Sequence, residues 1–446
     1  MFHKCLQILL VLGFATTQIS SASTRISNIG DAFSMAIKNN VELKAIQIKN
    51  KVAGLDARIS QSGLYPSVNF SSDFNYNFAL PTQLIPAKVF GGKDGEYKAL
   101  SFGTDYSMNA FIDANMPIFN TSIWNNIKLS KLQVKQTTLR VKLKEIEIKK
   151  NVAANYYAVL LSKANEEIAR KMLAISDTLY QSTKLKFEAG LLDKIELNRI
   201  ENSYLQSKNA LENAIAQKQI KQQELKMYLG ISSKEEIELT ESLVDMNYND
   251  SETLTIKDAS SNIDYKLKQA DINNSLIQYT KEKLKTLPEI SAFAKYGKQS
   301  YTNQINDFSN TQNWYNNGIV GIKLSIPLFK GFARSNEILK SKEMSEMAKQ
   351  ESAWLQSKIN KEDFELIENY SHANIQLMNS RRAFELSNES FQLSSAKYLN
   401  GIINTDAVMN IYREALNAQS DYLRTFNNYL LTKISIQLRN EMESIQ

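Results

Sequence analysis

Between Pro66 and Pro117 the hydrophobic pattern has period two. Val68, Phe70, Phe74, Tyr76, Phe78 and Leu80 are interleaved with Ser67, Asn69, Ser71, Asp73, Asn75 and Asn77. Further on, Leu100, Phe102, Tyr106, Met108, Ala110 and Ile112 are interleaved with Ser101, Gly103, Asp105, Ser107, Asn109 and Asp113. A period of two marks strands with one apolar face, and runs of about ten residues are long enough to cross a bilayer when tilted. Pro81, Pro86, Gly91, Gly92 and Gly95 fill the connection, which therefore reads as a loop. A weaker copy follows downstream. Ile290, Ala292, Ala294 and Tyr296 face one way, as do Val320, Ile322, Leu324 and Ile326. A water-soluble sandwich would alternate in the same manner. Here the second face carries Asn, Ser, Asp and Gly with few Lys or Glu, as a polar lumen would.

After each strand pair the period changes. No proline or glycine occurs from Ile118 to Ala189 or from Phe332 to Asn400, and a continuous helix of that length would run on the order of 100 Å. Apolar or small residues recur at alternating three and four: Leu366, Tyr370, Ala373, Leu377, Ser380, Phe384, Ser387, Phe391, Ser394, Tyr398. Val408, Ile411, Ala415, Ala418, Tyr422, Thr425, Tyr429, Thr432 and Ile436 do the same on a return arm. A mean spacing of 3.5 is coiled-coil geometry. Gly190 and Gly401 stand where each arm must reverse, so each half of the chain is expected to hold a long antiparallel hairpin with a glycine at its tip.

The two halves are copies. "NNVELK" (Asn39 to Lys44) aligns with "SNIDYK" (Ser261 to Lys266), and Pro66 with Pro288, both 222 residues apart. Pro117 aligns with Pro327 and "KFEAGLLD" (Lys186 to Asp193) with "KYLNGIIN" (Lys397 to Asn404), at 210 and 211, so the first copy carries twelve extra residues between its prolines. Pro66 and Pro288 mark the passage from helix to strand, and Pro117 and Pro327 the passage from strand to helix, where proline costs little. The predicted organisation is a signal peptide over 1–22, a first repeat over 23–229 with strands in 67–116 and a tip near 190, an inter-repeat segment over 230–258, and a second repeat over 259–446 with strands in 289–326 and a tip near 401. Four strands cannot close a membrane barrel, and open strand edges are forbidden in lipid. The protomer must pool strands with copies of itself, and three protomers would supply twelve.

Composition narrows the class. With 446 residues, 43% apolar and 22% charged, the chain is expected to fold. Its start has a basic tip at Lys4, an apolar run from Leu6 to Ala15 and small residues at Ser20, Ser21 and Ala22, the form of a secretory signal. Cys5 lies in that segment, so the mature chain is expected to be free of cysteine and of lipid attachment. The formal charge of +6 is spread thinly, with runs such as "KLKEIEIKK" alternating in sign, which argues against nucleic-acid binding. His372 is the only histidine beyond the signal segment, so neither a zinc cluster nor a Cys/His pair can be built, and no phosphate-cradling glycine loop occurs. No enzyme, cofactor or metal site is expected.

The repeated order of helix, "LYP" with a strand pair, "PIF" or "PLF", and a hairpin with "KFEAGLL" or "KYLNGII" at its tip resembles the TolC-type outer-membrane efflux proteins (outer membrane factors) over essentially all of the mature sequence. The resemblance implies an α+β membrane protein with long antiparallel α-helical coiled-coil hairpins and four transmembrane β-strands per protomer. Three protomers would form a twelve-stranded β-barrel continuous with an α-helical tunnel, in the outer membrane of a Gram-negative bacterium with the tunnel in the periplasm. It further implies a passive duct for efflux or type I secretion, a homotrimer in outer-membrane lipid. A periplasmic adaptor (membrane fusion) protein would join it to an inner-membrane RND, ABC or MFS transporter. A trimeric structural or adhesive stalk is the alternative, and the doubled strand-hairpin order favours a tunnel.

In that family a gate tyrosine stands near the second tip, where this chain has Tyr398. The arginine expected two residues after the glycine is Ile403, and the acids expected six and nine after it are Ala407 and Asn410. The first copy keeps an acid, Glu196, six residues after Gly190. Gating is therefore expected to rest on Tyr398 and Glu196 with packing, or on Asp406 and Asn410. Apolar tips call for a partner, so Gly190, Leu191, Leu192, Gly401, Ile402 and Ile403 are the candidate adaptor contacts, unless they bury against the neighbouring hairpin. Trp314, Tyr315, Phe119 and Phe329 read as interfacial aromatics, although the two phenylalanines would suit core packing beside the prolines equally well.

Overall fold

The computed structural model describes residues 24–241, 243 and 254–442, so the expected signal segment and the middle of the inter-repeat segment lie outside the described residues. The duplication is visible in the elements themselves. Helix α2 (Val41–Ser62) and helix α5 (Ile263–Leu284) each have 22 residues and start and end 222 positions apart. The pair α3 (Thr121–Glu188) and α4 (Lys194–Leu229) has its counterpart in α6 (Ala333–Leu399) and α7 (Thr405–Glu441). Among the described residues no helix is long and apolar enough to cross a membrane. The chain divides into two compact units, one built from residues up to 44, 142–261 and from 360 onward, the other from 45–141 and 262–359.

The second unit holds the main sheet. Strands β2 (Ser67–Tyr76), β5 (Tyr106–Phe119), β7 (Glu289–Thr302) and β8 (Trp314–Ser325) form an antiparallel sheet in the order β2-β5-β7-β8. Each strand follows or precedes one helix, and the helices keep the same neighbours. Ser60 and Ser130 share a 2.6 Å hydrogen bond between α2 and α3, and Gln136 donates to Asp271 at 2.8 Å between α3 and α5. Gln269 donates to Ser352 at 2.9 Å between α5 and α6. The helix order α2, α3, α5, α6 thus repeats the strand order, leaving β2 and α2 on one edge and β8 and α6 on the other.

Two expectations for this unit are corrected. The connection after β2 is not simply a loop, because β3 (Thr82–Pro86) and β4 (Tyr97–Ser101) pair antiparallel within it, closed by a 3-10 turn over Ala87–Phe90. Backbone bonds from Asn77 to Asp105 and from Phe102 to Pro81 join this ladder to the β2–β5 ladder, so the twelve extra residues lengthen the ribbon. The prolines and glycines that signalled a loop end the ladder, as they do at a hairpin tip. Pro117, expected where strand becomes helix, lies inside β5 beside a bulge between Pro117 and Phe119. A bulge tolerates the missing N–H. Pro66 and Pro288 immediately precede β2 and β7, and Pro327 lies between β8 and α6.

The first unit is helical. It contains α1 (Ile29–Asn39), the distal parts of α3 and α6, all of α4 and α7, and a short parallel pair of β1 (Thr24–Ile26) with β6 (Ile237–Leu239). The pair ties the start of the described chain to the inter-repeat segment. Along α6, residues 370, 377, 384, 391 and 398 are Tyr, Leu, Phe, Phe and Tyr, one per heptad. Three of them meet α7 ring to ring: Tyr370 with Tyr429 at 5.7 Å, Phe384 with Tyr422 at 5.4 Å, and Phe391 with Tyr412 at 5.2 Å between centroids. Offset aromatic pairs add to burial in holding the two arms together.

Candidate functional site

In the first unit both hairpin tips are built from the same local chemistry. Helix α3 ends on Gly190 with φ +72°, whose N–H bonds Phe187 O at 2.9 Å while Leu191 N–H bonds Lys186 O at 2.9 Å. Helix α6 ends on Gly401 with φ +71°, and Gly401 and Ile402 bond Tyr398 O at 3.0 Å and Lys397 O at 2.9 Å. This double bond is the Schellman closure, which needs a left-handed residue and hence favours glycine. Two apolar residues follow, and then a side-chain cap starts the return helix: Asp193 accepts from Glu196 N at 2.8 Å, and Asn404 from Ala407 N at 2.9 Å.

The two tips differ in what they touch. Tyr398 is 4% exposed, and its hydroxyl shares a 3.0 Å hydrogen bond with Thr183 of the first hairpin and receives one of 3.5 Å from Thr405. Lys186 donates to the carbonyls of Leu399 at 3.0 Å and Tyr398 at 3.4 Å, capping the end of α6 with a cation from α3. Its ammonium also lies 5.5 Å from the Tyr398 ring centroid. Deeper in, Ser176 and Ser207 share a 2.9 Å bond and Ser207 and Tyr412 one of 2.6 Å, joining α3, α4 and α7. Asp406 pairs with Arg199 across α7 and α4. Asn410 accepts from Arg413 at 2.5 Å on its own helix.

Tyr398 and Asp406 are therefore each tied to the first hairpin, whereas the described contact of Glu196 is through its backbone. Arg199, Thr183 and Lys186 were not among the expected site residues. Arg199 occupies the first-copy position equivalent to Asn410, so its partner comes from a non-equivalent place in the second copy, and no spacing announces it. At the tips, Leu191 is 73% and Ile402 68% exposed, while Leu192 and Ile403 are half-buried and Ile403 packs against the cluster of Tyr398, Phe391, Val408 and Tyr412. Leu185 and Ile195 extend the exposed apolar surface of the first tip.

In the second unit the sheet has two unlike faces. Register puts Val68, Phe70, Phe74, Tyr76, Met108, Ile112, Met116, Tyr296, Val320, Ile322 and Leu324 on one side. The other carries Asn69, Asp73, Asn109, Asp113, Lys295, Gln299 and Asn317. On that polar side Ser71 donates to Asp113 at 3.1 Å, Lys295 lies 3.8 Å from Asp113, and the Lys295 ammonium sits 3.9 Å from the centroid of Phe111.

A family model described as outer membrane efflux protein matches residues 32–231 and 260–439. The chain belongs to the outer membrane efflux protein family. One matched block falls in each half of the chain. No curated protein sequence matches the chain at a significant level. Among solved structures this efflux-family chain is similar to the CmeC outer membrane channel of Campylobacter jejuni, at 14% identity and a TM-score of 0.75 over 94% of this chain and 87% of that one. It is also similar to the open state of the MtrE outer membrane channel of Neisseria gonorrhoeae, at 11% identity and 0.74 over 93% and 89%. The outer membrane protein VceC of Vibrio cholerae matches at 11% identity and 0.70 over 92% and 94%. At these identities the likeness establishes the fold.

Proposed function

We propose that this efflux protein is the outer-membrane channel-tunnel of a tripartite efflux or type I secretion system. Three copies close a twelve-stranded barrel continuous with a helical tunnel in the periplasm. The duct is passive and performs no chemistry. An adaptor protein engages the hairpin tips, and an RND, ABC or MFS transporter in the inner membrane supplies the energy. The observation that carries this reading is the four-stranded sheet with one apolar face, one polar face and two unpaired edges, since lipid tolerates such a sheet only when its edges are paired by other copies. The exposed Leu191 and Ile402 support a partner at the tips.

The closed state in this reading is held by Tyr398 wedged between Thr183 and Thr405, with the Arg199–Asp406 pair beside it. These contacts take the place of the missing second-tip arginine and acids. Single-channel recording in planar bilayers tests the whole. Wild type is expected to give small, rarely open currents, and Tyr398→Ala combined with Asp406→Ala larger and longer ones. A protein that never inserts or conducts would sink the channel reading; equal conductance in both forms would sink the gate alone.

A further inference from the structure

The apolar face of the sheet has one charged exception. At the outward positions of β2, β5, β7 and β8 every residue is uncharged except Lys298, which is exposed and has no ion-pair partner among the described residues. Lys298 pairs with Ala110 on one side and Asn316 on the other, so two side chains able to donate N–H bonds stand next to each other. The row nearer the strand termini carries aromatics on the two edge strands: Phe74 packs against Phe308 at 5.7 Å, and Trp314 donates its indole N–H to Phe308 O at 3.0 Å. On the opposite side of Lys298, Tyr296 is exposed. A cation with an amide beside it, with Tyr296 on one side and Trp314 on the other, suits an anionic group at an apolar boundary.

The depth of Lys298 says which anion. Lys298 is nine residues along β7 from Glu289, which at a strand rise of about 3.4 Å and a tilt near 45° places it roughly 20 Å up an apolar band of about 25 Å. Phe74, Tyr76, Tyr106 and Trp314 lie at the loop end, away from the helices, and so at the outer interface. A lysine at mid-bilayer is costly, whereas one near the interface can extend its stem to the headgroups. We infer that Lys298 and Asn316 bind the phosphate of an anionic lipid in the outer leaflet, with Tyr296 beside its acyl chains and Trp314 on the headgroup side. This inference rests on the membrane-channel reading proposed above.

The test uses the full chain purified in detergent and probed by native mass spectrometry with dioleoyl phosphatidate and, separately, dioleoyl phosphatidylcholine. Wild type is expected to retain phosphatidate at least about tenfold better than Lys298→Gln, with Lys298→Arg restoring most of the difference and phosphatidylcholine showing none. Equal retention by wild type and Lys298→Gln, or a loss of equal size with phosphatidylcholine, would overturn the site. Displacement by inorganic phosphate at the concentration of the lipid would mark a plain anion site and overturn the lipid assignment. Bilayer conductance separates the two levels of the argument. If wild type conducts and the lipid preference is missing, only the site fails; if wild type neither inserts nor conducts, the channel reading fails and takes the site with it.

Discussion

At the scale of a residue, two glycines of this fold respond differently to an added methyl group. Gly401 has φ +71° and nothing within 4 Å of the place where a Cβ would stand, so Gly401→Ala pays only for the left-handed backbone, about 1 kcal/mol. Gly297 lies opposite Phe111, and its Cβ would come 2.7 Å from Phe111 Cα while overlapping the carbonyl of Ala110. The strands would have to part, at a cost of about 2–3 kcal/mol or more. Thermal melts followed by circular dichroism should show the larger fall for Gly297→Ala, and equal falls would contradict the close approach. Tyr157 gives a pH signature in the helical unit. Burial, then the charge of Glu241, pushes its hydroxyl up from 10.0 to about 12, and Tyr156, buried and bonded to Glu241 at 2.5 Å, is raised further. A folded-state value above the unfolded one means that these two tyrosines contribute stability fully below pH 10 and lose it as pH climbs through 10 toward 12 and beyond. Absorbance at 295 nm should show them ionising only with alkaline unfolding, after the exposed tyrosines.

At the scale of an element, the hairpin tips separate what stabilises from what gates. The Arg199–Asp406 pair is half exposed, so Arg199→Ala is expected to cost less than about 1 kcal/mol of stability. Tyr398→Phe removes the bond to Thr183, whose hydroxyl keeps Leu179 O, and leaves the buried hydroxyl of Thr405 without its acceptor, so it should cost about 1–2 kcal/mol. If both changes lengthen channel openings while their melting temperatures differ in this order, gating and stability are distinct properties of the tip. A melting loss for Arg199→Ala as large as that for Tyr398→Phe would refute the ranking. These elements also show how far sequence reaches. The hairpins, their tip glycines and the two-faced strands were legible because periodicity and glycine chemistry are local. The β3–β4 ladder was missed because Pro81, Pro86, Gly91, Gly92 and Gly95 signal a turn without saying how much pairing precedes it. Pro117 was misplaced because a bulge excuses a proline that a regular ladder would reject. Arg199 was invisible because its partner lies in the other copy at a position that is not its equivalent.

At the scale of the molecule, the edges decide the assembly. Helix α2 exposes Ile48, Val52, Leu55 and Ile59 at steps of four, three and four, and α6, on the other edge, exposes Leu339, Met347 and Trp354. Among the described residues the strands alongside, β2 and β8, each keep one unpaired edge. An isolated copy would offer water two apolar helix faces and lipid two open ladders, and both penalties vanish when the β2–α2 edge of one copy meets the β8–α6 edge of the next. Because the two edges differ, the contact in the channel reading proposed above is head to tail and closes into a ring, in which three copies would supply twelve strands. Ile48→Glu with Leu55→Glu places two carboxylates on the seam, where their desolvation outweighs the support of Lys44, Lys51 and Arg58 one turn away, so ring formation should fail while the helices within each copy persist. Light scattering in detergent is expected to give a trimer for wild type and a monomer for the double variant, with helical content unchanged by circular dichroism. A trimer that survived both charges would show that the α2 stripe faces something other than a second copy, and closure would then have to come from the strands alone.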